Sequence, residues 1–522
     1  MALPTSNHLF SGVSAFRGAL MMTGSTYVSY ALGMLASIVI ARTLGPDDFG
    51  RYSYVVWLAG LLVVLANNGI TTTAIRFVSE SLGRGAGDDA ARVHGWLARR
   101  QLASALLVAA GFLALLPQFM PTGWGHDGIG LLATATLTAG LCKAWFIFDV
   151  SIAKGHGHYG IEAGSTVLMS LLSIVAVLAL AWMGAGLETY VVLFAIVGVG
   201  HAVAGWTLRR RAALLPAYRP LDPALLPRVR THLWWTVLLV LAWALGNKSI
   251  ETWLLNRTVG AAAVGYFAIA AALTRGGIDM LSSGLGTVLM PMMAHAYGAG
   301  GSARANVIVA AAVRCYAALG LLLAGAGALA ARPLVALLYG DAYGEVVLPL
   351  QVMVVVGGLT LIEAAFGALL STTDNQKLRV GFVVLSLLVT ATLAIFLVPR
   401  YGLHGAVLAH AASRLLVFAV TWAGISRVLQ LRMPWSQLLR LVSAAATALV
   451  PALLLERLLP DRWGGLAAAV AYVLVYVVAS VAFRAWRSED AQVFAGLARR
   501  FPRLGAIAGR CAARLAGRGG LP

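Results

Sequence analysis

The sequence predicts an all-α polytopic membrane protein. Of its 522 residues, 60% are hydrophobic and only 11% are charged, whereas soluble domains contain about a quarter charged residues. Apolar stretches of about twenty residues, the length that crosses a bilayer as a helix, recur along the whole chain. Similar turns also recur about 215 residues apart, which indicates that one multi-helix unit occurs twice.

We predict about fourteen transmembrane helices, because fourteen apolar runs are separated by short polar connections. None of these connections is long enough to form a soluble domain. The segment before the first long apolar run lacks a basic n-region and a small-residue cleavage site, so the first span is predicted to be retained. The spans are 18–41, 52–75, 101–120, 129–153, 160–183, 188–208, 232–255, 264–296, 305–330, 346–371, 380–398, 403–426, 437–459 and 464–484.

The distribution of Lys and Arg predicts the orientation, because basic loops stay preferentially in the cytoplasm. With a cytoplasmic N-terminus, 27 of the 39 basic residues fall in inner loops and tails or at the adjoining span ends, and 7 in outer loops or at their adjoining span ends. Both termini are therefore predicted to be cytoplasmic. The net charge of +19 is then explained by contact with anionic membrane lipid, and no nucleic acid partner is expected.

Two short stretches carry the repeat. ARTLGPDDFG at 41–50 resembles NRTVGAAAVG at 256–265, and Gly186-Leu187 before span six resembles Gly402-Leu403 before span twelve. Six spans per unit is an even number, so the two copies share one orientation, as in transporters that place their substrate between parallel repeats. Chance matching of glycine-containing turns remains the alternative. The matched positions are Arg42, Thr43, Gly45 and Gly50 with Arg257, Thr258, Gly260 and Gly265.

The repeat divides the chain into five predicted parts. We expect two parallel six-helix lobes around a central cavity, with two additional C-terminal helices. The parts are an N-terminal lobe at 1–210, a cytoplasmic basic linker at 211–231, a C-terminal lobe at 232–430, two further transmembrane helices at 431–486 and a basic cytoplasmic tail at 487–522.

Charged residues inside the spans are the candidate site. Nine of them facing lipid at helix centres would together cost roughly 25 kcal/mol, more than the ~5–15 kcal/mol net stability of a typical fold. They are therefore expected to face protein or a water-filled cavity. Arg314 is one of these nine. The predicted substrate-binding residues are Lys143, Lys248, Arg275, Arg414, Arg42 and Arg76, and the predicted ion-coupling or pairing residues are Asp149, Glu251, Asp279 and Glu363.

Two interpretations of these charges remain open. Lys248 and Glu251 are three residues apart and Arg275 and Asp279 are four apart, so each pair can form an internal salt bridge on one helix face. Alternatively, the slight excess of base suits an anionic head group, because the planar guanidinium of Arg donates paired hydrogen bonds to phosphate. The acids then bind a proton or sodium ion.

Several functions are disfavoured by the motifs that the sequence lacks. The cysteines Cys142, Cys315 and Cys511 form no CxxC pair, and the two histidines of GHGH at 155–158 lack further ligands, so we expect no metal site. No Gly-Lys dipeptide and no Gly-x-Ser-x-Gly elbow occurs, so neither ATP hydrolysis nor hydrolase chemistry is indicated. We expect a transporter without a cofactor, not an enzyme, with a coupling proton or sodium ion as an open choice.

One long block resembles a known family. The stretch 30–85 contains Ala41-Arg42, Leu44-Gly45-Pro46, Phe49-Gly50 and Tyr52, followed by Gly69 and Arg76. It resembles the opening of the polysaccharide-transport family of lipid-linked oligosaccharide flippases, within the multidrug/oligosaccharidyl-lipid/polysaccharide exporter superfamily. A second block, LLYGDAYGEVVLPLQVMVVV at 337–356 with PRYGLHGA at 399–406, resembles its C-terminal half.

The resemblance implies a function. It implies alternating access by two six-helix lobes, and movement of undecaprenyl-diphosphate-linked oligosaccharide across the bacterial inner membrane for exopolysaccharide, capsule or O-antigen synthesis. The resemblance also implies polysaccharide polymerase and export machinery as further partners. In relatives with two extra spans, these form a groove for the lipid tail. The alternatives are an ion-coupled multidrug exporter of the same superfamily, which should have an acidic cavity, and a membrane glycosyltransferase or polymerase, which should have a long outer loop.

Overall fold

The computed structural model describes residues 12–120, 128–246, 249–372, 376–428, 433–459 and 461–486. Within these ranges the chain is helical and contains no β-strand, which confirms the all-α class. The chain packs as two compact units: unit 1 comprises residues 1–268 and 386–409, and unit 2 comprises residues 269–385 and 410–522. The lobe and linker boundaries, which rest on sequence repetition, stay predictions, and the predicted tail 487–522 lies outside the described residues.

Fifteen α-helices are found in the described ranges. Short 3₁₀ turns lie at Leu116–Gln118 and Asp341–Val346, and a π-helical segment lies at Arg275–Asp279. The helices are α1 Gly12–Asn67, α2 Ile70–Gly83, α3 Gly87–Leu115, α4 Ile129–Gly155, α5 Tyr159–Trp182, α6 Leu187–Arg211, α7 Leu226–Gly246, α8 Ser249–Thr258, α9 Ala261–Thr274, α10 Met280–Leu338, α11 Val347–Thr360, α12 Glu363–Thr372, α13 Gln376–Val428, α14 Trp435–Leu458 and α15 Asp461–Ala482.

Eleven helices in the described part are long and apolar enough to cross a membrane. Two of them, Met21–Asn67 and Val380–Val428, contain 47 and 49 residues, whereas about twenty residues cross a bilayer once. Each bends at one glycine with positive φ, Gly45 at +74° and Gly402 at +58°. The number of helices is therefore not the number of crossings, and fourteen crossings stays a prediction.

The repeated turn is shorter than its sequence indicates. Residues 41–50 contain an Arg, a Pro, two acids and two Gly, a composition typical of a loop, yet only Gly45 departs from helical backbone angles. Its counterpart Gly260 has a φ of +133°. Thr43 donates to the carbonyl of Val39 at 2.8 Å, and Thr258 donates to the carbonyl of Leu254 at 2.7 Å. The two turns thus repeat a hydrogen bond as well as a sequence.

Equivalent glycines of the two turns pack against each other within unit 1. A Cβ atom on Gly50 would lie 1.9 Å from the carbonyl oxygen of Ala261, and one on Gly265 would lie 3.1 Å from the Cα atom of Gly50. Neither distance leaves room for a side chain. The absence of side chains here lets the second half of α1 approach α9 closely.

A Gly50→Ala variant is expected to lose about 1–3 kcal/mol of stability, because a methyl group must displace the backbone of Ala261. Thermal unfolding in detergent, monitored by circular dichroism, measures the loss. Gly60→Ala on the same helix is the control, since nothing lies within 4 Å of a Cβ at Gly60. Equal melting temperatures for the two variants would contradict this packing.

The segment between α6 and α7 packs firmly on unit 1. We call residues 212–225 the strap. Its side chains Leu221 and Leu225 are buried in one cluster with Phe77 and Phe148. The amide of Ala217 donates to the carbonyl of Ala91 at 2.8 Å. The strap therefore belongs to the core of unit 1.

Helices α14 and α15 attach to α10 in unit 2. Their shared face is rich in buried alanine. The hydroxyl groups of Tyr472 and Tyr476 donate to the carbonyls of Leu321 and Ala318 at 2.9 and 3.0 Å. Small residues permit close helix contact, and buried tyrosine hydroxyls require acceptors, so this face fixes the two helices to α10.

Candidate functional site

Nine of the ten predicted site residues lie in the described part of the chain. Lys143, Asp149, Arg42, Arg76 and Glu251 belong to unit 1, and Arg275, Asp279, Glu363 and Arg414 belong to unit 2. Lys248, together with its predicted pair to Glu251, lies outside the described residues. The predicted residues therefore do not form one cluster within one unit, and each group has a different environment.

Asp149 forms a buried ion pair in unit 1. Its Oδ1 atom accepts a hydrogen bond from Nε of Arg209 at 2.8 Å, and the two side chains are 1% and 8% exposed. Arg209 also donates from Nη1 to the carbonyl of Leu214 at 2.9 Å. This pair joins α4, the end of α6 and the start of the strap. Such a position is suited to holding the strap in place.

Sequence reasoning missed Arg209, because the residue was assigned to the inner loop after span six. Helix α6 continues to Arg211, so Arg209 lies in its last turn and its side chain turns inward. A signal was available: Asp149 lies only six positions before the end of α4 at Gly155. A carboxylate so close to a helix end is within reach of a base at the same membrane surface.

Lys143 lies on α4 beside aromatic rings. Its ammonium group is 4.7 Å from the ring centre of Phe146, and Phe146 in turn meets His201 edge to face at 5.0 Å. In the described part of unit 1, no carboxylate lies within ion-pair distance of Lys143. A cation on an aromatic face is stabilised by the ring quadrupole, so Phe146 offsets part of the cost of placing Lys143 in unit 1 without an adjacent acid.

Three further predicted residues of unit 1 lie in unlike surroundings. Arg42 is exposed just before the Gly45 bend, and Arg76 is exposed on α2 with its guanidinium 5.2 Å from the ring centre of Phe77. Glu251 on α8 is fully buried. Only the two arginines are open to a ligand in this structure.

In unit 2, a π-helical segment interrupts the apolar span between α9 and α10. It turns Ile278 inward, and a Cβ on Gly357 of α11 would be 3.2 Å from that side chain. Arg275 and Asp279 are exposed. In the part of the chain that the structure describes, no ion pair joins these two residues, so the internal salt bridge that their spacing allows is not formed. Single π-helical turns often occur at functional sites.

A second irregularity lies next to the π-helical segment. Helix α11 ends at Thr360 and α12 begins at Glu363. In the intervening turn the backbone hydrogen bonds span three residues: the amide of Ala364, for example, donates to the carbonyl of Leu361 at 3.1 Å. Gly357, which contacts Ile278, is one turn before this break. Helix α11, which ends at this break, therefore packs against the π-helical segment.

Arg414 of α13 meets this break. Its Nη2 atom lies 3.3 Å from the hydroxyl of Thr360 and 3.5 Å from Oε2 of Glu363. The side chains of Arg414 and Glu363 are 42% and 24% exposed. One turn further along, Phe366 and Phe418 stack with ring centres 6.3 Å apart. The aromatic pair fixes α12 against α13. The Arg414–Glu363 ion pair, one turn away, is long and accessible to solvent.

We define the unit 2 site as the polar residues of these two helix irregularities: Arg275 and Asp279 of the π-helical segment, and Thr360, Glu363 and Arg414 at the break. It contains two basic and two acidic side chains, and all four are at least partly exposed. Within the described residues, no group of three or more His, Cys, Asp or Glu could hold a metal ion. The chemistry available in this site is ionic recognition by guanidinium groups and exchange of a proton or cation at carboxylates.

Comparison with known proteins identifies the family. The sequence signature of a family described as "Polysaccharide biosynthesis protein" matches residues 15–296, which is more than half of the chain. The chain belongs to this family. The match begins before the Gly45 turn and ends in α10, so it contains the π-helical segment.

The fold of this polysaccharide biosynthesis protein is shared with solved transporters. It is similar to lipid II flippase MurJ in an inward closed conformation, with a TM-score of 0.71, 13% identity, and coverage of 89% of this chain and 98% of the flippase. It is also similar to an inward-facing multidrug resistance MATE family transporter of the MOP superfamily, with a TM-score of 0.63, 16% identity, and coverage of 77% and 95%.

A third similar structure is a mutant of the Vibrio cholerae MATE transporter VcmN, with a TM-score of 0.56, 16% identity, and coverage of 82% of this chain and 98% of that one. No curated protein matches the sequence at a significant level. The family match identifies a polysaccharide biosynthesis protein, and its apolar helices have the fold of these solved transporters. At these low identities the structures establish the fold alone.

Proposed function

We propose that this protein moves a lipid-linked oligosaccharide, attached through undecaprenyl diphosphate, across the bacterial inner membrane by alternating access. The glycan would be used for exopolysaccharide, capsule or O-antigen synthesis. Membership of the polysaccharide biosynthesis family supports this substrate class. The chain would act as a transporter, not an enzyme, and would pass its substrate to a polysaccharide polymerase and export machinery.

The observation that carries this proposal is the exposure of Arg275 within a candidate membrane span. A span at Ala261–Ser282 contains this residue, and its side chain is exposed. An arginine facing lipid at a helix centre costs about 2.5–3.5 kcal/mol. Water, or an anionic ligand, therefore explains its position better than lipid does, and a diphosphate matches the paired donors of a guanidinium.

The orientation supports loading from the cytoplasm. Most basic residues lie in the loops and tails that follow even-numbered spans, and basic loops are retained on the cytoplasmic side. Both termini would then be cytoplasmic. Lipid-diphosphate sugars would enter from this side and leave on the outer side.

Transport in vesicles tests the proposal. The full chain is reconstituted in liposomes with a fluorescent undecaprenyl-diphosphate oligosaccharide, and a membrane-impermeant quencher measures the outer-leaflet fraction over time. We expect translocation above that of protein-free vesicles and of vesicles with heat-inactivated protein. Translocation at the protein-free rate, by protein that remains folded and correctly inserted, would refute the proposed function.

An ion-coupled multidrug exporter is the second candidate. The observation in its favour is the fold shared with MATE transporters, together with the exposed carboxylate of Asp279. A cationic dye placed in the same vesicles separates the two functions. Efflux of the dye under a proton or sodium gradient, without movement of the lipid-linked sugar, would favour the exporter.

The coupling ion can be assigned from the same vesicles. Glu363 and Asp279 are the proposed carriers, because both are accessible carboxylates of unit 2. A proton gradient and a sodium gradient are imposed in separate experiments. We expect only one of the two gradients to accelerate translocation.

A further inference from the structure

Helix α2 and helix α7 are joined along one face by three contacts. At the N-terminal end of α2, a Cβ on Gly69 would be 2.7 Å from the Thr236 side chain. One turn on, the Thr73 hydroxyl lies 3.2 Å from Nδ1 of His232. Residues 236 and 232 are one helical turn apart on α7, and residue 228 is the next in the series. The two helices therefore run antiparallel with matched contacts.

The third contact is ionic. Oε1 of Glu80 accepts a hydrogen bond from Nη2 of Arg228 at 2.8 Å. The same Oε1 atom also accepts a hydrogen bond from Arg84, four residues later on α2. Glu80 thus has one partner on its own helix and one partner on α7.

A third arginine completes the group. The guanidinium groups of Arg76 and Arg228 lie 5.2 and 5.8 Å from the ring centre of Phe77. We name Arg76, Arg84, Arg228 and Glu80 the α2–α7 cluster. Three positive charges and one negative charge leave it with a net charge of +2. All three arginines are exposed, so the excess is open to a soluble or membrane-bound anion.

The Glu80 carboxylate is ionised in this arrangement. Arg228, which donates to it, holds the pKa of Glu80 below its ordinary value. The carboxylate therefore occupies donors of Arg228 at neutral pH. If a ligand takes those donors, Glu80 still keeps Arg84, because the two residues lie one turn apart on α2. When the ligand replaces Glu80 at Arg228, both Arg228 and Glu80 therefore still have an oppositely charged partner.

We propose that the α2–α7 cluster is a docking site for a diphosphate group, in which Glu80 occupies the place of the ligand while the site is empty. Arg76 and Arg228 bind the diphosphate, and Glu80 retreats to Arg84. A diphosphate diester has one ionised oxygen on each phosphorus atom, which matches the net charge of the cluster. Two guanidinium groups on one buried ring also present their donors at fixed positions.

The site lies at the end of unit 1 that the charge distribution assigns to the cytoplasm. A lipid-linked diphosphate that enters from the cytoplasm would meet the cluster at this end of unit 1, so the cluster would act at entry. This inference rests on the proposed function for the source of the diphosphate. The binding chemistry itself can be tested without transport.

Calorimetric titration of the full chain in nanodiscs with inorganic pyrophosphate tests the site. Glu80→Gln is expected to tighten binding roughly ten-fold, because it removes the competing negative charge. Arg228→Gln is expected to weaken binding at least ten-fold. Arg92→Gln is the matched control: Arg92 is paired with Asp88 on α3, outside the cluster, and its binding should equal that of the unmodified chain.

Different outcomes separate the site from its ligand source. Unchanged affinity in Glu80→Gln, or equal losses in Arg228→Gln and Arg92→Gln, would overturn the proposal, as would equal binding of inorganic phosphate. A second arm uses undecaprenyl diphosphate incorporated in the nanodisc. If its binding follows the same variants, the ligand is lipid-linked; if only pyrophosphate does, the site binds a soluble diphosphate.

Folding and transport are controlled separately. Size-exclusion profiles and melting temperatures of the variants show whether a change in binding reflects misfolding, and Arg228→Lys, which keeps the charge, should recover part of the affinity. Vesicles that fail to translocate the lipid-linked sugar while pyrophosphate binding follows the expected pattern would refute the proposed function and leave this site standing.

Discussion

An Arg209→Ala variant is expected to lose about 3–5 kcal/mol of stability, the usual result of removing one partner from a buried ion pair. Asp149 is 1% exposed, so its charge would remain inside unit 1 without a counter-ion. The variant also loses the hydrogen bond to Leu214 at the start of the strap. The melting temperature in detergent and the yield of folded protein measure the effect.

Two variants control this prediction. Arg210→Ala removes the neighbouring arginine, which is exposed and lies 4.1 Å from the ring centre of Trp206, and should alter stability little. Replacing both Asp149 and Arg209 by leucine removes the buried charge together with its partner and should recover much of the loss. If Arg209→Ala has the same melting temperature as the Arg210→Ala control, the Asp149–Arg209 ion pair is not structurally important.

Arg275→Gln and Arg414→Gln are each expected to slow translocation of a lipid-linked diphosphate sugar by roughly 10- to 100-fold. The estimate follows from the loss of one charge-assisted hydrogen bond, about 1.5–3 kcal/mol, at about 1.4 kcal/mol per factor of ten. Arg414→Lys keeps the positive charge but not the paired donors of the guanidinium. Its translocation rate should therefore lie between that of the unmodified chain and that of Arg414→Gln. The quencher assay in vesicles gives the rates.

Arg332→Gln is the control for these variants. Arg332 is an exposed arginine of α10 outside the unit 2 site, so this variant should translocate the substrate at the rate of the unmodified chain. Glu363→Gln distinguishes binding from pairing at Arg414. If Glu363 only holds Arg414 in place, its loss mimics Arg414→Gln; if Glu363 carries the coupling ion, its loss also removes the response to the ion gradient. Unimpaired translocation by inserted Arg275→Gln would remove Arg275 from the site.

The helical class and the turns could be read from the sequence because they depend on local physics. Long apolar runs must satisfy their backbone groups within the membrane, and only helices or closed barrels do so. The bends at Gly45 and Gly402 occur at glycines because their φ angles are positive. The number of crossings stays a prediction, because a single glycine can bend a helix that remains continuous on either side.

The partners of the charged residues could not be predicted, because pairing depends on contacts between distant helices. Asp149 and Arg209 are 60 positions apart, and Arg414 and Glu363 are 51 apart. Helical spacing instead directed attention to Arg275 and Asp279, which form no ion pair in the described structure. The breaks in the helices near these residues likewise come from tertiary packing, since Arg275–Asp279 has no Pro to mark it.

The contact between Gly50 and Gly265 has a consequence for the history of the chain. These glycines hold corresponding places in the two halves, and they touch. If the two turns arose by duplication, one glycine of an identical pair would have faced its own copy, so one mutation would have introduced two clashing methyl groups at once. Duplication and fusion separate the two codons, and each half can then diverge while the other stays small.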